Sequence, residues 1–156
     1  MKLGIILFSH TGNTRSIGED LKRKLMKAGH NVKIEEVQPD GDPQKMGNDI
    51  KFKTKPSVKG YDAIIFGSPV WGFSLPPMMK GYLNDIGSLK GKKIALFVTK
   101  KLPFHWTGGN RTVSQMENIC SSKGGIISGK GVIVYGKSGP EKNKEGILNR
   151  LSNPFK

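Results

Sequence analysis

The sequence predicts an α/β fold: a doubly wound, three-layer sandwich with helices on both faces of a five-stranded parallel sheet. Three observations carry that expectation. Four short runs (3–8, 63–66, 94–98 and 132–135) are continuously apolar and rich in Ile and Val, as strands buried on both faces require. Stretches of helical period alternate with them. The 156 residues make one domain, 1–156, of ordinary size, with no repeat, low-complexity tract or linker to divide it.

The elements follow in order. Strand 3–8 runs into a polar loop. Ile17, Leu21, Leu25 and Ala28 then form one face of a helix that Gly29 ends. Residues 32–37 alternate and carry charge, which suits an edge strand. Segment 38–60 has no clear period and holds Lys51, Lys53, Lys55 and Lys59. Met46, Ile50 and Phe52 are expected to support a short helix there, since so long a bare loop is unusual. With that helix supplied, the β-α unit repeats five times. Strand 63–66 comes next. Pro76 and Pro77 then begin a helix whose Met79, Tyr82, Leu83 and Ile86 recur at helical spacing. Strand 94–98 precedes a helix over about 111–123 that stops at Gly124 and Gly125. Strand 132–135 leads to a last helix, starting near Pro140 and burying Ile147, Leu148 and Leu151.

Composition narrows the class of function. The single cysteine, Cys120, excludes an internal disulfide and a cysteine-held metal cluster within one chain. Val113 and Met116 share its helical face, which reads as a buried structural thiol. Residues 3–8 are too short for a signal-peptide core, and no run approaches a membrane span. The expected setting is therefore cytoplasmic, with no membrane span. The net charge is +14; residues 1–78 carry 12 basic and 8 acidic groups, and residues 79–156 carry 14 and 4. Such a field draws anionic partners. No helix-turn-helix, zinc-finger or base-stacking aromatic pattern accompanies it, so no specific nucleic acid is expected.

Chemistry-bearing residues collect where the strands end. In an open parallel sheet, ligands bind beyond the carboxyl ends of the strands, where strand order reverses. The first such loop is Ser9, His10, Thr11, Gly12, Asn13 and Thr14: hydroxyl, amide, imidazole and glycine, with no Asp, Glu, Lys or Arg. A helix start offers unpaired N–H groups and the positive end of a dipole, which together hold an anion without a lysine. A plain polar turn with a capping Asn or Thr reads equally well from six residues. The second loop holds Ser68, Pro69, Val70, Trp71, Gly72 and Phe73. The third runs from Thr99, Lys100 and Lys101 through Phe104 and Trp106 to Gly108 and Gly109. Both tryptophans of the chain lie in these loops, either gripping a planar ligand by its faces or covering the rim of the sheet.

Other doubly wound proteins fail on the residues. The chain lacks the Gly-x-x-x-x-Gly-Lys-Ser/Thr loop of phosphate-binding NTPases and the Gly-x-Gly-x-x-Gly dinucleotide fingerprint. It has Ser9 and Ser68 where a receiver domain has carboxylates, and no cysteine in its first loop, as a small tyrosine phosphatase requires. A phosphate-bearing aromatic cofactor is what these eliminations leave.

On those three loops the chain resembles the flavodoxins and their flavodoxin-like FMN-binding relatives over essentially its whole length. The resemblance implies strand order 2-1-3-4-5 and FMN as cofactor. The 9–14 loop would hold the phosphate, Pro69 to Phe73 would line one edge and face of the ring with Ser68 among the cofactor-binding residues, and Thr99 to Gly109 would close the other side. Trp71 and Trp106 are the expected ring contacts, with Phe73 and Phe104 as substitutes. His10 departs from the small hydroxyl residue common at its place. Relatives often turn a peptide carbonyl toward the flavin N5 on reduction, and the Trp71–Gly72 peptide is the matching candidate. The implied function is a low-potential electron carrier needing no catalytic residue. The alternatives are a small FMN-dependent NAD(P)H oxidoreductase acting on a quinone, nitro compound or metal ion, and a binding module, with or without flavin, recruited by its basic surface to nucleic acid or an anionic membrane. Flavodoxins are typically acidic, so a +14 chain implies an acidic redox partner, ferredoxin-like or a reductase domain.

Overall fold

The computed structural model describes residues 1–101, 108–136, 139–140 and 144–155. Its strands are β1 (Lys2–Leu7), β2 (Asn31–Glu36), β3 (Gln38–Pro39), β4 (Phe52–Thr54), β5 (Ala63–Pro69), β6 (Lys93–Lys100), β7 (Ile126–Gly136) and β8 (Gly139–Pro140). Its helices are α1 (Asn13–Lys27), α2 (Pro77–Asp85), α3 (Gly109–Ser122) and α4 (Lys144–Ser152). The main sheet runs β2-β1-β5-β6-β7-β8. Its first five strands pair in parallel, which is the expected order 2-1-3-4-5, with β2 at the edge. The short β8 pairs antiparallel to the end of β7.

The apolar runs are continuous because the sheet buries both faces. Leu3, Ile5 and Leu7 point to one side, with Ala63, Ile65, Ala95 and Phe97, under Ile17, Leu21 and Leu25 of α1 and Ile147, Leu148 and Leu151 of α4. Ile6 and Phe8 point to the other, with Ile64, Phe66, Leu96 and Val98, against Met79, Tyr82 and Leu83 of α2 and Met116 and Cys120 of α3. Burial pushes the Cys120 thiol up to about 12, Lys123 acting the other way, so it stays protonated and packs as a small apolar group. No helix among the described residues is long and apolar enough to cross a membrane.

Two expectations are corrected. The crossover between β2 and β5 contains no α-helix. Its residues form the antiparallel pair β3–β4 and a 3-10 turn at Pro43–Lys45, capped by the Asp42 side chain accepting from Gln44 N–H at 3.0 Å. Gly41 and Gly47 take positive φ on either side of that turn, which breaks any helix. Met46, Ile50 and Phe52 still pack on the core. The last helix starts at Lys144, and Pro140 belongs to β8.

The fifth strand also begins earlier than its apolar run. Gly129 and Gly131 hide its first half from hydropathy, for a steric reason. A Cβ on Gly131 would lie 2.5 Å from Ile147 Cγ2, so α4 packs directly on bare backbone.

Candidate functional site

Helix α1 starts on a residue with no side chain to cap it. Its N-cap is Gly12 at φ 93°, a left-handed conformation that costs glycine little. The N-cap is therefore not the Asn or Thr of the capped-turn reading. One first-turn amide, Arg15 N–H, reaches Ser9 Oγ at 3.3 Å. The Arg15 guanidinium is committed elsewhere, to Glu36 at 2.7 Å and Glu19 at 3.0 Å. Hydrogen bonds to Glu36 first, then Glu19, raise its already high pKa.

The loop after β5 is a tight two-residue hairpin. Trp71 and Ser74 exchange both backbone hydrogen bonds, at 2.9 and 3.0 Å. Gly72 and Phe73 between them sit at φ 55° and 63°, the double positive φ of a type I′ turn. Phe73 is the one non-glycine residue at positive φ among those described, a strain of about 1–2 kcal/mol. The far end of the hairpin is held from α3: Gln115 Oε1 accepts from Ser74 Oγ at 3.0 Å and Leu75 N–H at 2.9 Å. Gly108 lies against it as well, since a Cβ there would come 2.2 Å from the Phe73 carbonyl oxygen.

The loops meet in a cleft of about 470 Å³ at the carboxyl end of the sheet, within the range of small-molecule sites. His10, Thr11 and Asn13 line one part, Pro69 to Phe73 a second, and Thr99, Lys100 and Lys101 a third, with Gln44 reaching in from the crossover. Trp71 stands at the junction, edge-to-face with Phe8 at 5.4 Å and with His10 at 5.1 Å. The Lys100 stem is buried, passing 3.3 Å from where Gly109 would carry a Cβ, and Lys101 is exposed. No carboxylate lines the cleft among the described residues.

Some of the residues singled out by sequence stand behind this surface. Thr14 is buried, its hydroxyl 2.8 Å from that of Thr99, which ties the first turn of α1 to the end of β6. Ser68 is fully buried, its hydroxyl donating to the Pro69 carbonyl at 2.9 Å. Ser9 and Gly12 shape the loop from outside the lining. Phe104 and Trp106 lie outside the described residues. Gln44 and Gln115 were not anticipated. Each reaches the site across a long sequence separation, and an isolated Gln carries no motif.

An open α/β sheet, parallel over its first five strands, with a cleft at its switch point defines the class: a doubly wound α/β protein. A family model described as a flavodoxin-like fold matches residues 1–152, and the chain belongs to that family. Similar solved structures include Flavodoxin 2 from Bacillus cereus (23% identity, TM-score 0.73, 99% of this chain and 100% of that one). The Streptococcus pneumonia TIGR4 flavodoxin is similar at 20% identity and TM-score 0.70, covering 98% and 96% of the two chains. A Fusobacterium nucleatum flavodoxin variant bound to flavin mononucleotide is similar at 20% identity and TM-score 0.56, covering 82% and 68%.

Proposed function

We propose that the protein binds FMN in this cleft and acts as a low-potential electron carrier between redox partners. One observation carries the reading: a helix start with glycine at its N-cap and an indole face the same cleft, and no carboxylate lines it among the described residues. That combination suits a ligand with a phosphate at one end and a flat apolar ring at the other. The Fusobacterium relative, bound to FMN, agrees with it. When bound, FMN supplies the electron chemistry, while the chain sets affinity and potential.

The roles divide by loop. The amides of residues 11–14 and the side chains of Thr11 and Asn13 hold the phosphate. Trp71, set edge-on by Phe8 and His10, covers the ring, and the Gln115 bonds keep the hairpin from drifting. The Trp71–Gly72 peptide remains our candidate for the carbonyl that turns toward N5, with open space around Gly72. Lys100 and Lys101 add positive charge on the far side of the cleft and favour an acidic redox partner, ferredoxin-like or a reductase domain.

Positive charge beside the ring stabilises an anionic reduced flavin. The Lys100→Gln/Lys101→Gln variant is therefore expected to have a second reduction potential more negative by on the order of tens of millivolts. Potentiometry of the FMN-loaded proteins reads it, and an unchanged or less negative couple removes the lysines from that role. The carrier reading is tested by NADPH oxidation with a quinone present. Negligible turnover by the loaded protein is expected, whereas steady turnover assigns it to the NAD(P)H oxidoreductases instead.

A further inference from the structure

Lysines gather at the end of the sheet opposite the cleft. The segments capping the amino ends of the parallel strands are 1–2, 27–31, 55–62, 85–93, 123–126 and 152–155. Together they hold eight lysines and no arginine, against two carboxylates, Asp62 and Asp85. These loops knit into one surface. Leu89 N–H donates to the Lys123 carbonyl at 2.8 Å, Ile126 N–H to that of Lys92 at 2.9 Å, and Asp62 N–H to that of Lys2 at 2.8 Å.

Several of the ammonium groups are held by neutral acceptors. Lys92 Nζ donates to the Tyr61 carbonyl, and Lys93 Nζ to that of Pro154 at 3.2 Å. Lys123 Nζ donates to the carbonyls of Asn84 at 3.1 Å and Ile86 at 2.9 Å. A carbonyl orients the charge without cancelling it, whereas Lys55 is ion-paired with Asp85 on this face. The cleft end differs. Around the cleft, with its Lys100 and Lys101, residues 38–50 set Asp40, Asp42 and Asp49 against Lys45, and Arg15 is engaged by Glu36 and Glu19.

Three large apolar side chains stand out on or beside this face: Met1, 51% exposed, and Met26 and Ile126, each 53% exposed. The one exposed aromatic among the described residues, Phe73, is at the cleft. Lysine is a hydrated point charge suited to diffuse attraction rather than to bidentate reading of phosphates. Lysines interleaved with exposed aliphatic side chains, without arginine or stacking rings, match the surface of an anionic bilayer better than a nucleic acid.

We propose that this end is a docking face for an anionic lipid membrane, holding the molecule with its cleft turned toward the aqueous phase. The proposal does not depend on what the cleft binds.

Cosedimentation with phosphatidylcholine vesicles, with and without about one third phosphatidylserine, tests it. Binding is expected only to the serine-containing vesicles and is expected to weaken with salt. The Lys59→Glu/Lys90→Glu/Lys93→Glu variant alters three exposed side chains, so its fold should stand, as circular dichroism checks. At roughly fivefold per lysine, its partitioning should fall by on the order of a hundredfold or more. A charge-matched Lys22→Glu/Lys33→Glu/Lys80→Glu variant should lose far less. Independently, Ile126→Ser should reduce the binding that survives high salt. Three results would overturn the proposal: no binding to serine-containing vesicles, equal loss in the two triple variants, or tighter binding to a short DNA duplex than to the vesicles.

Discussion

Asn13→Asp is expected to make the apoprotein more stable and to remove most of its FMN affinity. Asn13 is the first residue of α1, and the first turn of that helix carries no acidic residue. A carboxylate there meets the positive end of the helix dipole and should stabilise the fold by about 0.3–1 kcal/mol. The same side chain lines the cleft. A fixed negative charge about 4 Å from a phosphate costs about 4 kcal/mol per charge pair at an effective dielectric near 20, which weakens binding by roughly two to three orders of magnitude. The substitution changes charge and hardly any volume, so packing does not confuse the result. Thermal unfolding of the apoprotein and FMN titration read the two effects. A stabilised apoprotein with unchanged FMN affinity would mean that the phosphate lies elsewhere.

Gly67→Ala should be the most damaging single methyl in the sheet. Gly67 sits on β5 between Leu7 of β1 and Phe97 of β6. A Cβ there would lie 2.2 Å from Phe97 Cζ and 2.5 Å from its Cε1. Phe97 is fully buried, so its ring cannot withdraw into solvent. The expected cost is about 3 kcal/mol or somewhat more, a fall in Tm of roughly 6–12 °C for a chain of this size. Phe97→Leu opens space beside the added methyl and should recover part of the loss when the two are combined. Purely additive effects in that cycle would show that the contact is not the cause.

The legible parts of the fold are those where burial leaves a pattern. Strands buried on both faces must be apolar at every position, and Leu3 to Leu7 are covered by helices on either side with Gly4 tucked under the Tyr61 ring. Helices buried on one face leave a period, as Ile17, Leu21 and Leu25 do. The first half of β7 leaves neither, because glycine at 129 and 131 trades side chains for close approach of α4. The crossover misled for a related reason. Its apolar residues Met46, Ile50 and Phe52 do reach the core, but turns and a two-stranded ladder bring them there.

The cleft shows the same division. Its loops were legible because they sit at strand ends and hold residue types suited to an anion and a flat ring. What was not legible is the support around them. Gln44 reaches the cleft from a segment with no period, and Gln115 fixes the Trp71 hairpin from about 40 residues away in sequence. Nor does a polar turn reveal in advance whether its helix is capped. Here Gly12, which has no side chain to offer, takes the N-cap position, and Ser9 Oγ reaches only the Arg15 amide.

The claim that residues 9–14 grip a 5′-phosphate is tested most directly by isothermal titration of the apoprotein with FMN and with riboflavin, which differ only by that group. The account predicts one FMN per chain, bound tighter than riboflavin by roughly a hundredfold or more, and an advantage that Asn13→Asp abolishes. Equal affinities for the two ligands, or binding of neither, would contradict it.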